Sequence, residues 1–134
     1  MEVMKVSTRR RSEFIDITVE VEGALDRSGA EEGVVVVYVP HTTAGVTINE
    51  NADPDVRADV IGVLERLVPQ GAGYRHAEGN ADSHVKASLV GSSVAIPFSG
   101  SKLALGTWQG VYFAEFDGPR SRRVLVKVLR DAAG

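Results

Sequence analysis

The chain has 134 residues, no cysteine, and fifteen basic against eighteen acidic residues, for a formal charge of -3. One domain that buries roughly two-thirds of its unfolded surface is expected at this length. Disulfides, thiolate nucleophiles and cysteine-ligated zinc are excluded, and no global positive field is available to recruit nucleic acid. The first residues lack the basic start and apolar core of a secretory signal, and no apolar run approaches the roughly 20 residues of a membrane helix. A soluble cytoplasmic protein without a membrane partner is expected.

In chain order, Glu13 to Val21 alternates apolar and polar as a strand does, yet Ile17, Val21, Ala24 and Leu25 also fit a helical face that Thr18 can cap. We read a short strand to about Ile15 and then a helix ending near Ser28-Gly29. Val34 to Val39 is β-branched and continuously apolar, the pattern of a strand buried on both faces. His41 sits where that strand ends. Ala44 to Asn49 alternates again, and Asn51-Ala52-Asp53-Pro54 supplies an N-cap with proline at the first helical position. Val56, Val60, Ile61, Leu64, Leu67 and Val68 then recur at helical spacing until Pro69 and Gly71 end the run. Asp55 and Asp59 lie one turn apart near the positive end of that helix.

The stretch Tyr74 to His84 places two of the three histidines within nine positions, beside Glu78 and Asp82, on a turn marked by Gly79-Asn80. Asn80 or Asp82 can cap a short third helix through Leu89, which would put His84 in its first turn. Beyond Gly91 the runs Val94 to Pro97, Leu103 to Leu105, Val111 to Phe116 and Val124 to Leu129 read as an antiparallel meander. Val124, Val126 and Val128 alternate with Leu125, Lys127 and Leu129. One face of that strand is therefore apolar and the other only partly polar, so helices are expected on one side and another subunit on the other. The expected fold is a single α+β domain over residues 1–134, an antiparallel-rich sheet or sandwich with two or three helices.

The chemistry is expected where the histidines meet. A neutral imidazole is the commonest metal ligand and titrates near neutrality, and catalytic zinc commonly takes three protein ligands plus water. His41, His76 and His84 are the candidate ligands of a divalent metal, zinc foremost, with Glu50, Asp59 and Asp82 behind them. The bland alternative is that each histidine caps an element or bonds a nearby carboxylate. Thr42, Thr43, the backbone around Gly106-Thr107, and Arg120 can donate to phosphate oxygens, although Arg120, Arg122 and Arg123 fit a solvated turn equally well. Glu50, next to Asn49 at a strand end, is a candidate general base; the pair can also simply satisfy turn donors. Trp108 is read as a core or subunit-interface anchor, and Gln109 as a weaker candidate for orienting a ligand.

Four stretches together carry a resemblance: Pro40-His41-Thr42-Thr43-Ala44-Gly45-Val46-Thr47-Ile48-Asn49-Glu50-Asn51, Tyr74-Arg75-His76 with Gly79-Asn80-Ala81-Asp82-Ser83-His84, Gly106-Thr107-Trp108-Gln109, and Glu115-Phe116-Asp117-Gly118-Pro119-Arg120. In this order, over nearly the whole chain, they resemble the YjbQ-like family. The resemblance implies a small α+β fold assembled as a homotrimer. It also implies a secondary thiamine-phosphate synthase activity, which joins hydroxymethylpyrimidine diphosphate to a thiazole phosphate with release of pyrophosphate. The family pattern maps onto His41, Asn49, Glu50, His76, Asn80, Asp82 and His84. The competing expectations are a metal- or small-anion-binding trimer and a structural trimer without catalysis.

Overall fold

The computed structural model describes residues 1–132; the last two residues of the expected 1–134 domain lie outside that range. Eight strands and three helices follow one another as β1 (Glu2–Ser7), β2 (Glu13–Asp16), α1 (Thr18–Ser28), β3 (Gly33–Tyr38), β4 (Ala44–Glu50), α2 (Pro54–Leu67), α3 (Ala81–Val90), β5 (Ser93–Ser99), β6 (Lys102–Leu103), β7 (Gln109–Glu115) and β8 (Ser121–Arg130). Every strand pairing is antiparallel. One sheet has the order β1-β8-β3-β5-β6 and the other β2-β7-β4. This is an α+β sandwich.

Two apolar clusters define the layers. Val35, Val37, Ile96, Val124 and Val126 of the five-stranded sheet meet Val46, Val111 and Phe113 of the three-stranded sheet, with Val21, Ala24 and Leu25 of α1 closing the gap. Behind the smaller sheet, Phe14, Tyr112, Ala114 and Phe116 pack against Ala87 of α3 and Val60, Ile61 and Leu64 of α2. Strand β7 is thus the middle of the middle layer, which explains why Val111 to Phe116 is apolar without alternation: both of its faces are dry.

The C-terminal strands do not form the expected meander. Only β5 and β6 are hairpin neighbours; β7 leaves for the small sheet, and β8 returns to lie between β1 and β3. A doubly buried strand belongs where both faces can be covered, and the small sheet's centre provides that. The expectation that Val34 to Val39 is buried on both faces also fails in the single chain. Val35, Val37 and Val39 are in the core, whereas Val34 and Val36 are half-buried and Tyr38 is exposed on the sheet's outer face. Leu125 and Leu129 share that outer face, since Tyr38 pairs with Leu125 and Val34 with Leu129. Strand β1 was not anticipated; its register against β8 gives it a place that its own short pattern does not announce.

The helix ends follow local rules with two exceptions. Asp53 caps α2 by accepting from the Asp55 N–H, with Pro54 at the first helical position, and Gly29 ends α1 in the left-handed conformation. Thr18 does not cap α1. Its hydroxyl donates to Asp16 Oδ1 and accepts from the Val111 N–H, tying the helix start to β7. Asn80 occupies the N-cap position of α3 without a capping bond; its side chain turns to Asp117, to which the amide NH2 donates.

Candidate functional site

The site is built at one end of the sandwich, where two apolar rows each finish in a charge. The inner row of β7 runs Val111, Phe113, Glu115, and that of β8 runs Arg122, Val124, Val126. Glu115 is 0% exposed, and its carboxylate accepts from the Thr8 hydroxyl at 2.7 Å, Arg122 Nε at 2.9 Å, Arg122 Nη2, and the N–H groups of Phe116 and Asp117 at 3.1 and 3.2 Å. Arg122 Nη2 also donates to Thr43 Oγ1 at 2.8 Å. A buried carboxylate survives only with such full compensation. The ion pair closes the apolar interior and fixes the chain that carries His41.

Helix α3 is drawn against β4 beside it. Gly45 has no side chain to keep the helix away: a Cβ there would lie 2.4 Å from the Gly91 carbonyl oxygen, which accepts from the Val46 N–H at 3.1 Å. The helix is further held by Ser83, whose hydroxyl donates to the Phe116 carbonyl. Asp82 is 1% exposed and takes Lys86 Nζ on one oxygen and Arg11 Nη2 on the other, each at 3.0 Å. His84 is left on the outer side of the first turn, toward His41.

Two hollows meet at His41, Thr42 and His84. One, of about 510 Å³, is completed by Ala44, Ala87, Ser88, Gly91 and Ser92. The other, of about 370 Å³, is completed by Pro40, Thr43, Glu78, Asn80, Asp117, Arg120 and Arg122. The His76 ring stands edge-on to that of His84 with centroids 5.2 Å apart, and His76 Nε2 is 3.7 Å from Glu78 Oε2. All three histidines therefore gather at one end of the molecule. Among the described residues, however, no three His, Asp or Glu side chains form a metal-ligating group. His41 Nε2 is already engaged, accepting from the Arg123 N–H at 2.9 Å.

The electrostatics are specific. Burial, followed by the charges of Arg122 and Arg123, lowers the His41 pKa below the ordinary imidazole value. His41 is thus neutral near pH 7, with its proton on Nδ1 because Nε2 is an acceptor. At Asp117 burial works upward, but hydrogen bonds from Asn80 and Arg120, and the charges of Arg120 and Arg11, outweigh it and leave the carboxyl below the usual range. Arg120 folds back on this carboxylate, donating through Nε to the Asp117 carbonyl and through Nη2 to Oδ2, each at 2.8 Å. The Asn80 amide donates to Asp117 at 2.9 Å, while its Oδ1 is buried without a partner among the described residues.

The remaining sequence candidates lie elsewhere. Asn49 and Glu50 are at the far end of β4 from Thr43, a rise of roughly 20 Å along the strand. Asn49 Oδ1 accepts from the Glu50 N–H, and the Glu50 carbonyl accepts from the Tyr112 hydroxyl. Gln109 pairs with Glu50 across the ladder and accepts from the Gly106 N–H through its side chain. Asp59 is exposed on α2. Trp108 is 62% exposed, which removes it from the core and leaves only the interface half of its reading. Sequence reasoning passed over Glu115, Asp117, Arg11 and Lys86; it offered Arg122 either an anion site or a solvated turn, and burial removes the solvated turn. Two signals were present: a lone carboxylate inside the apolar run Val111 to Phe116, and the helical spacing of Asp82 with Lys86.

The fold and the cleft define a small two-sheet α+β protein whose histidines and two arginines converge at one end of the sandwich. The chain belongs to the YjbQ-like UPF0047 family, whose pattern matches residues 2–131. It is 50% identical over 127 residues to UPF0047 protein MJ1081 of Methanocaldococcus jannaschii, covering 95% of this chain and 92% of that one. It is 46% identical to UPF0047 protein YugU of Bacillus subtilis, covering 96% and 98%. Among solved structures, a conserved YjbQ/UPF0047 protein of Clostridium acetobutylicum superposes with a TM-score of 0.95 at 52% identity, over 96% of this chain and all of that one. A hypothetical protein of Aeropyrum pernix gives a TM-score of 0.92 at 40% identity, over 98% and 100%.

Proposed function

We propose that this protein is an enzyme acting on a small phosphorylated molecule in the cleft between His41 and His84, with thiamine-phosphate synthase activity as at least a secondary activity. The observation that carries the reading is the cleft itself: two hollows that share both imidazoles, one of them lined by Arg120 and Arg122. In the proposed reaction the thiazole nitrogen bonds to the exocyclic methylene of the pyrimidine, and the bond from that carbon to the diphosphate oxygen breaks. The electron pair leaves with pyrophosphate. Charge builds on the departing group, and preorganised donors directed at it are the main means of lowering such a barrier. Neutral His41 and the cleft arginines supply donors of that kind.

A divalent ion, zinc or magnesium, would have His76 and His84 as its ligands from this chain and would neutralise the diphosphate. Further ligands would have to come from the substrate or a neighbouring copy. The outer face of the five-stranded sheet, with Val36, Tyr38, Leu125 and Leu129, suits the contact of a homotrimer. Asn49, Glu50 and Gln109 would join the chemistry only if such an assembly brought them to a neighbour's cleft.

The test is pyrophosphate release from the two named substrates by the purified chain and by His84→Ala, with zinc and nickel measured per subunit in both. Loss of synthesis in the variant supports the reading. Undiminished synthesis removes the cleft from the reaction. The second reading, a small-anion- or metal-binding protein in which synthesis is incidental, is favoured if binding persists where turnover is absent from the parent chain.

A further inference from the structure

Arg122 is only 6% exposed, yet it forms part of the wall of the smaller hollow. Its Nε and Nη2 are spent on Glu115 and Thr43, whereas Nη1 has no protein partner among the described residues. Nη1 is therefore the guanidinium nitrogen left for a ligand in the hollow that Arg122 lines. Arg120 repeats the arrangement, with Nε and Nη2 on Asp117 and Nη1 left over. His41 adds a third donor at Nδ1, since its Nε2 accepts from Arg123. The Asp117 carboxylate in the same wall is already paired with Arg120 and Arg11 and accepts from the Asn80 amide.

The neighbouring hollow has a different character. Beyond the shared His41, Thr42 and His84, its wall is made of Ala44, Ala87, Ser88, Gly91 and Ser92, with no arginine or carboxylate. A ligand that spans both therefore meets donors at one end and small uncharged groups at the other. Arg122 is also preordered: its fork is clamped by Glu115, so binding an anion costs no side-chain ordering.

We propose that the cleft binds a small phosphate monoester in one orientation, with phosphoryl oxygens on Arg122 Nη1 and the organic body in the hollow walled by Ala44, Ala87 and Gly91. This rests on the substrate class proposed above and adds to it the anion-binding residue and the direction of binding.

Calorimetric titration of the full chain with inorganic phosphate and with phenyl phosphate tests it, alongside two variants. Glu115→Gln/Arg122→Gln removes the donor and its buried counter-ion together, so no charge is stranded. Ser88→Phe, on the exposed side of α3, fills the second hollow. The parent should bind both compounds, phenyl phosphate more tightly. The double variant should lose phosphate affinity by roughly ten- to hundredfold, the effect of one charge-assisted hydrogen bond. Ser88→Phe should retain phosphate affinity while its phenyl phosphate affinity falls to the same level. Should the double variant not fold, the nitrogen resonances of the Arg122 guanidinium in the parent are followed during phosphate addition, and a saturable shift is expected. Unchanged phosphate affinity in a folded double variant, no binding by the parent, no shift at Arg122, or equal weakening of both ligands by Ser88→Phe overturns the proposal. These titrations do not depend on turnover. Failure of thiamine-phosphate synthesis leaves them standing, and their failure with synthesis intact overturns only the binding mode.

Discussion

Asp82→Asn separates a structural carboxylate from a catalytic one. Asp82 is 1% exposed and Lys86 3%, and Lys86 Nζ lies 3.0 Å from Asp82 Oδ2. Removing one partner of a buried ion pair costs about 3 to 5 kcal/mol, because the other charge is left in a poorly solvated place. The second partner, Arg11, has a side chain 37% exposed, and water screens that contact, so it adds less than about 1 kcal/mol. Asparagine keeps the shape and one acceptor, which places the expected loss near the lower bound, about 3 kcal/mol. For a chain of this size that lowers the melting temperature by about 10 °C. The assay is chemical and thermal unfolding at fixed protein concentration, with Asp82→Asn/Lys86→Met as the second arm. The double variant replaces the pair by an uncharged amide and an apolar side chain of similar length and should recover to within about 1 kcal/mol of the parent. If Asp82→Asn unfolds with the parent's stability yet abolishes synthesis, the carboxylate acts on substrate and the structural account is wrong.

Three further outcomes are expected. Gly45→Ala should destabilise by about 2 to 3 kcal/mol, because the new Cβ meets the Gly91 carbonyl, which no rotamer change can relieve; unfolding free energies within about 0.5 kcal/mol of the parent would refute the close approach of α3 to β4. His41 should titrate below about 6.5 in an NMR pH series. Its depressed folded-state value means that its contribution to stability is complete above the unfolded pKa and is lost as pH falls through the folded one, so His41→Gln should flatten that part of the stability profile. A titration midpoint above the ordinary imidazole value would contradict the burial and the facing arginines. Leu129→Glu, on the outer face of the five-stranded sheet where the proposed trimer would meet, should turn a parent that sediments as three chains into one that sediments as a single chain; a parent that already sediments as one chain, or an assembly that survives the substitution, refutes that contact.

Local signals reported local structure at most element ends, the caps expected from Thr18 and Asn80 excepted. Asp53-Pro54 announced the start of α2, Gly29 the end of α1, and period-two alternation the strand Ala44 to Glu50, because caps, turns and pleat depend on neighbours within a few residues. The β-branched run after Gly33 was unmistakably a strand, but its pattern overstated its burial. One outer face of it is uncovered in the single chain, and apolarity alone does not say what covers a surface.

The sequence by itself determined the residue types available for chemistry, the α+β class and the family, because composition, periodicity and motif order are all written along the chain. Only the tertiary structure decided which of those residues share a site. It joined His41 to His84, turned Asp82 inward onto Lys86, set Asn49 and Glu50 at the opposite end of β4, and brought Glu115 and Arg122 together as the buried floor. The reason is physical. Which face of a strand points inward, and which strand lies beside it, is settled by how two sheets and three helices exclude water jointly, and no short stretch of sequence contains that information.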